Sequence, residues 1–308
     1  MRLAFVFAAL FAGACCTSLP RLAPKRVPFP ARATTNNEVA VARESWHDAK
    51  RDRDVPVTIY APRAPHAKLP VVVFSHGIGE DRDSYAYLGQ ALAQHGYLAV
   101  HVTHAGTDRA VLARGYRFLY RAVKEKSNWI NRPLDVSFAL DRLASRNDAD
   151  LTRVAIAGHS AGAFTAFALA GVRFADGNTL RDPRVKVAVA MSMPRMDGVI
   201  APGGYDAIAI PLLNMTGTCD TSLIYRTFPK HRRIPFESTH AARQYLVTLA
   251  RVTHNTFSNA EDAHHDEIVA ITLAFLDAYV RDDGAARAWF DDAGRGRIAQ
   301  TELNVERK

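Results

Sequence analysis

Cysteine is scarce in this chain: three in 308 residues, and two of them, Cys15 and Cys16, stand near the start. Only Cys219 lies in the stretch that reads as folded. That excludes a disulfide framework inside it; a bond from Cys219 to the leader cysteines stays open, with no spacing to support it. A chain of this length can hold itself together with a full hydrophobic core instead. Long apolar runs are missing too. The run from residue 3 to residue 12 is far short of the ~20 residues that cross a membrane as a helix. Acids are absent from residues 1–37, where Arg2, Arg21, Lys25, Arg26 and Arg32 carry +5 of the net 39 − 31 = +8. The remainder is only +3. No basic stripe is interleaved with aromatics, which argues against nucleic acid as a partner. No internal repeat is present.

What is there begins with a leader. Arg2, the short apolar run and Ala12-Gly13-Ala14 read as an export signal over residues 1–14, cleaved before Cys15. Cysteine at that place also resembles a bacterial lipoprotein signal, which would tether the protein to a membrane through Cys15. The expected location is therefore periplasmic, secreted or membrane-anchored. Residues 15–37, with Pro20, Pro24, Pro28 and Pro30, read as a basic, Pro-rich tether. Residues 38–290 read as one domain, and residues 291–308 as a polar C-terminal tail.

Inside the domain, strand and helix patterns alternate. Residues 53–60, 69–74, 97–102, 153–157, 185–191, 208–215 and 244–250 have strand character. Residues 85–95, 131–145, 163–170 and 267–280 have helical character. Such alternation predicts an α/β fold with a mostly parallel central sheet and helices on both faces. Residues 69–74 are apolar throughout, as in a strand buried on both faces. Three segments interrupt the rhythm, 104–130, 192–206 and 221–240. Each leaves the C-terminal end of a strand, where open α/β sheets bind ligands, so they are the expected substrate walls.

Everything is organised around Gly158-His159-Ser160-Ala161-Gly162. An apolar strand precedes it and a run of small, helix-compatible residues follows. This is the context a nucleophile elbow needs: the serine sits on a strained turn with only small neighbours, over a helix N-terminus. A serine hydroxyl needs a base to take its proton. His254 follows the 244–250 strand and is the base candidate. Asp220 follows the 208–215 strand and is the acid candidate. Asp197, after the preceding strand and close to Arg195, is the rival acid. His264 and His265 are rival bases, but they fall beside a helix start rather than at a strand end. Read as metal ligands with Asp266 and Glu267, they lack a second cluster. Neither a metal nor another cofactor is implied. An oxyanion hole needs two backbone donors. Ala161 N–H, just after the nucleophile, is one candidate, and the loop Ser75-His76-Gly77-Ile78-Gly79 is placed to supply the other.

Phe74-Ser75-His76-Gly77-Ile78-Gly79, the Gly158–Gly162 elbow and the late His254 resemble the α/β-hydrolase superfamily over roughly residues 50–285. The closer likeness is to dienelactone-hydrolase-like and platelet-activating-factor-acetylhydrolase-like serine esterases. The resemblance implies a Ser160-Asp220-His254 triad, with the second oxyanion donor at Ile78. Serine stands where true dienelactone hydrolases use cysteine, so that substrate is not implied. The expectation is an exported serine hydrolase acting on a small-molecule or lipid-like carboxylic ester. The alternatives are an amidase or peptidase of the same fold, and a non-catalytic binding protein on a hydrolase scaffold.

Overall fold

The computed structural model describes residues 37–63, 67–258, 264–293 and 303–308. The leader and most of the tether lie outside the described residues. The chain opens with β1 (Val39–Asp48) and β2 (Arg53–Pro62), an antiparallel pair. Next come β3 (Leu69–Ser75), α1 (Ala86–Gln94) and β4 (Leu98–Val102). A helical insert follows, α2 (Arg109–Ala113) and α3 (Tyr116–Lys124), running into α4 (Lys126–Leu143). Then come β5 (Ala149–His159), α5 (Ala161–Ala170), β6 (Val185–Met191) and β7 (Leu212–Cys219). Two short helices, α6 (Pro229–Arg232) and α7 (Ile234–Glu237), lead to β8 (Gln244–Thr253). The chain closes with α8 (His265–Val280), α9 (Gly284–Ala293) and β9 (Leu303–Arg307).

The sheet runs β1-β2-β4-β3-β5-β6-β7-β8-β9. The six strands from β4 to β8 are parallel, and the outer pairings are antiparallel. This is the expected α/β fold. Side chains alternate across the sheet with the period of two that strands impose. On β3, Val72 and Phe74 join Leu88 and Leu92 of α1 and Ile271 and Phe275 of α8. Val71 and Val73 face the other way, to Val136 and Leu140 of α4 and Phe164 and Phe167 of α5. Each such side chain contributes about 1.5–3 kcal/mol on burial. The two layers hold β5, and with it the elbow, at the centre of the molecule.

Four expectations change. The strand placed at 208–215 begins at Leu212, because Pro211 has no N–H to give a ladder. The strand placed at 244–250 continues to Thr253, past a register shift between Gly217 and Cys219 of its neighbour. The insert 104–130, read only as a break in the rhythm, is largely helical. The polar tail is the largest correction: Leu303–Arg307 pairs with β8 as an edge strand, with Leu303 and Val305 buried and Asn304 exposed. Five residues of mixed polarity carry too short an alternation to stand out in the sequence. β1 also escapes notice, since an edge strand keeps one face wet.

Candidate active site

At the end of β5 the backbone turns sharply into α5, and Ser160 takes up φ 55°, ψ −115°. That conformation is strained for an L-residue and persists only when the surroundings fix it. Two glycines allow the turn. A Cβ on Gly158 would overlap the Gly162 carbonyl, and one on Gly162 would overlap the Ser75 carbonyl. Ser160 N–H donates to Met191 O at 2.9 Å, tying the elbow to β6.

His254 Nε2 lies 3.1 Å from Ser160 Oγ, and His254 Nδ1 lies 2.9 Å from Asp220 Oδ1. The ends of β7 and β8 explain the approach. Gly217 lets the strands close: a Cβ there would overlap the Val252 carbonyl. Thr218 Oγ1 takes the Arg251 N–H at 2.8 Å, and His254 follows directly on Thr253. Asp220 is fully buried and completely partnered. Ser192 Oγ and Thr216 Oγ1 donate to Oδ2, the latter at 2.8 Å. The buried Arg232 guanidinium lies 2.9 Å from Oδ1 and 3.0 Å from His254 Nδ1. Burial alone would raise the Asp220 pKa. The His254 hydrogen bond and the Arg232 charge outweigh it and hold the carboxyl well below its usual range. Arg232 also donates to Ser192 O and Met193 O, both at 2.7 Å. It is therefore a support of the acid, not the substrate-wall residue that its basic segment suggested.

On the other side stands the loop after β3. Among the described residues, neither Ile78 N–H nor Ala161 N–H has a hydrogen-bond partner. Their neighbours are committed: Gly77 N–H donates to Glu80 Oε2 at 2.8 Å, and Gly79 N–H to Thr107 O at 2.8 Å. Arg132 of α4, fully buried, supports the loop from behind. It donates to His76 O and Ser75 Oγ, and to Thr107 Oγ1 at 2.7 Å and Thr165 Oγ1 at 3.3 Å. His159, beside Ser160, sits 4.7 Å ring to ring from His254, and its Nδ1 meets Tyr85 OH at 2.6 Å. The Tyr85 hydroxyl donates in turn to Glu80.

The rivals lie elsewhere. Asp197 pairs with Arg195 at 2.5 Å on an exposed face. His264 pairs with Glu267 at 2.9 Å. His265 stacks on Tyr87 and reaches Thr256 O and Ser258 O at 3.0 Å, bracing the segment after His254. Sequence reasoning missed both buried arginines, because an arginine read in sequence looks the same whether it is solvated or enclosed.

This fold, with an elbow serine meeting a histidine and a buried acid in that chain order, defines an α/β hydrolase. Residues 32–186, half of the chain, match the family model described as chlorophyllase, and the protein belongs to the chlorophyllase family. It is also similar to Chlorophyllase type 0 of Chenopodium album, at 24% identity over 304 residues, covering 89% of this chain and 83% of that one. Membership makes this an esterase-like hydrolase. The superfamily is the expected one. The family named is chlorophyllase, where the motifs suggested dienelactone-hydrolase-like and platelet-activating-factor-acetylhydrolase-like esterases.

Proposed function

We propose that this protein is an exported serine hydrolase that cleaves carboxylic esters through an acyl-enzyme. The observation that carries the reading is the hydrogen-bonded line Ser160 Oγ–His254–Asp220, 3.1 and 2.9 Å, ending on a buried acid. In this mechanism His254 takes the Ser160 proton as Oγ attacks the ester carbonyl. Asp220 fixes the imidazole tautomer and stabilises the imidazolium. The N–H groups of Ala161 and Ile78 hold the oxyanion. Collapse expels the alcohol, which leaves with the proton from His254. Water, activated by the same histidine, then releases the acid and restores Ser160. No cofactor takes part in these steps.

The test is Ser160→Ala. Hydrolysis of a p-nitrophenyl ester should fall on the order of a millionfold, with the fold retained. Labelling by a fluorophosphonate should vanish with it. Near-wild-type turnover in the folded variant would overturn the mechanism. A matched panel of esters and anilides separates esterase from amidase. Chlorophyll, which the relative's name indicates, belongs in that panel. Export is part of the proposal and rests on residues 1–14; mass spectrometry of the mature N-terminus reads cleavage before Cys15 and any lipid on it.

A further inference from the structure

One polar group beside the nucleophile has no partner. The Tyr225 hydroxyl is buried, and among the described residues it makes no hydrogen bond. A buried hydroxyl without a partner costs about 1–3 kcal/mol, so its retention asks for a reason. Its position is fixed from two directions. The backbone around it is a tight turn, closed by paired bonds between Ser222 and Thr227 at 2.8 and 2.9 Å, with Thr227 Oγ1 donating to Tyr225 O at 3.2 Å. The ring lies 6.0 Å from that of Trp129, which packs edge-on at 5.0 Å against Phe164 of the elbow helix. Trp129 is itself tied by Nε1–H to Val123 O at 2.7 Å. The aromatic row seats the phenol beside the elbow helix, where Ser160 and the Arg132 charge are both near enough to act on its proton.

We propose that Tyr225 is a third oxyanion donor: its O–H donates to the carbonyl oxygen of the bound ester as that oxygen becomes negative. This deepens the function proposed above and rests on it. The group suits the role. Burial, the largest influence, pushes the phenol well above its ordinary pKa despite the opposing Arg132 charge and the nearby Ser160 hydroxyl, so the proton stays on across the working range. The donor is held in place before substrate arrives, which is what makes such a hydrogen bond effective in the transition state. Its orphan state in the free enzyme follows at once, because its acceptor comes with the substrate.

The experiment compares wild type, Tyr225→Phe and Ser160→Ala. Ester hydrolysis by wild type and none by Ser160→Ala first establishes the serine mechanism; without that result both proposals fall. Given it, Tyr225→Phe should lose about 100- to 1000-fold in kcat, as for removal of one oxyanion donor, with KM within about twofold. Its thermal midpoint should stay or rise, because phenylalanine fills the same space and no hydrogen bond is lost. An aryl boronic acid, whose adduct on Ser160 presents a tetrahedral oxyanion, should bind the variant at least about tenfold more weakly. A kcat within about threefold of wild type overturns the proposal while leaving the serine mechanism standing. A rise confined to KM overturns it too, since that would put the hydroxyl on the ground-state substrate. So would a fall of several degrees in the midpoint, which would give the hydroxyl to the fold.

Discussion

The oxyanion loop and the acid loop are each backed by one buried arginine and one carboxylate, but only on the acid side are the two joined. Arg232 meets Asp220 at 2.9 Å, and both side chains are fully enclosed. Arg132, equally enclosed, donates to a carbonyl and three hydroxyls, and among the described residues it forms no ion pair with Glu80. The carboxylates respond in opposite directions. Asp220 is held below its ordinary value, whereas burial pushes Glu80 up to about 6. Arg132 is itself brought down to about 10, chiefly by burial. The contrast separates two jobs. On the acid side the arginine fixes a charge, which the role proposed for Asp220 requires, since a triad acid has to stay ionised to serve its histidine. On the oxyanion side it fixes a backbone shape, since neutral acceptors gain geometry from a guanidinium and no titration follows.

The largest expected effect tests the acid side directly. Asp220→Asn keeps the shape but presents His254 with the wrong partner. Turnover should fall about ten-thousandfold, the loss known from the Ser-His-Asp template. Asp197→Asn, on an exposed pair, should stay within about twofold of wild type. Steady-state kinetics on both, with circular dichroism to confirm folding, decide the matter. The reverse order would move the acid to Asp197 and dissolve the comparison.

The two arginines come next. Arg232→Met leaves the buried Asp220 charge without its cation and should cost about 3–5 kcal/mol. Arg132→Met leaves neutral acceptors unmet and should cost about 1–3 kcal/mol. Their pH signatures should differ as well. A carboxyl depressed in the folded state contributes stability that is present above its unfolded value near 3.8 and is lost as the pH falls toward the folded one. Without Arg232, burial is opposed by less, so the folded value rises and acid unfolding should begin at higher pH. Arg132→Met should lower stability without moving that onset. Denaturant melts between pH 3 and pH 7 read both quantities, and equal onsets would erase the distinction drawn here.

How much of this stood in the sequence depended on the length of the signal. The 69–74 run and the elbow announce themselves because six apolar residues, or a serine framed by glycines between strand and helix, have few other uses. Asp220 and His254 were reachable because each follows a buried strand. The arginines were not, since nothing local tells Arg132 from the solvated Arg142 on the same helix; only the acceptors that folding collects around it do so. Tyr225 was hidden for a related reason. The 221–240 segment reads as a basic substrate wall, and the Ser222–Thr227 turn that carries the ring exists only once the loops are closed. β9 was lost through brevity.

Glu80 gives the smallest effect and the most specific one. Its residue edge is partly exposed, yet the carboxylate is enclosed, holding Gly77 N–H at 2.8 Å and the Tyr85 hydroxyl. Burial is the chief cause of its rise from 4.5 to about 6; those two hydrogen bonds oppose it. The folded protein therefore binds this proton more tightly than the unfolded chain between pH 4.5 and about 6. Stability from this group is full below 4.5 and is lost as the pH rises through that window. Glu80→Gln keeps an acceptor for both donors and removes the titration. Relative to the variant, wild type should lose about 1–2 kcal/mol across the window, since one pKa unit is worth about 1.4 kcal/mol. That is about 2–8 °C in the midpoint difference at this chain size. Thermal melts of the two proteins at pH 4.5 and 7 give the number. A midpoint difference that does not change with pH would mean that Arg132 already neutralises Glu80, and the oxyanion loop would then be built on the same principle as the acid loop.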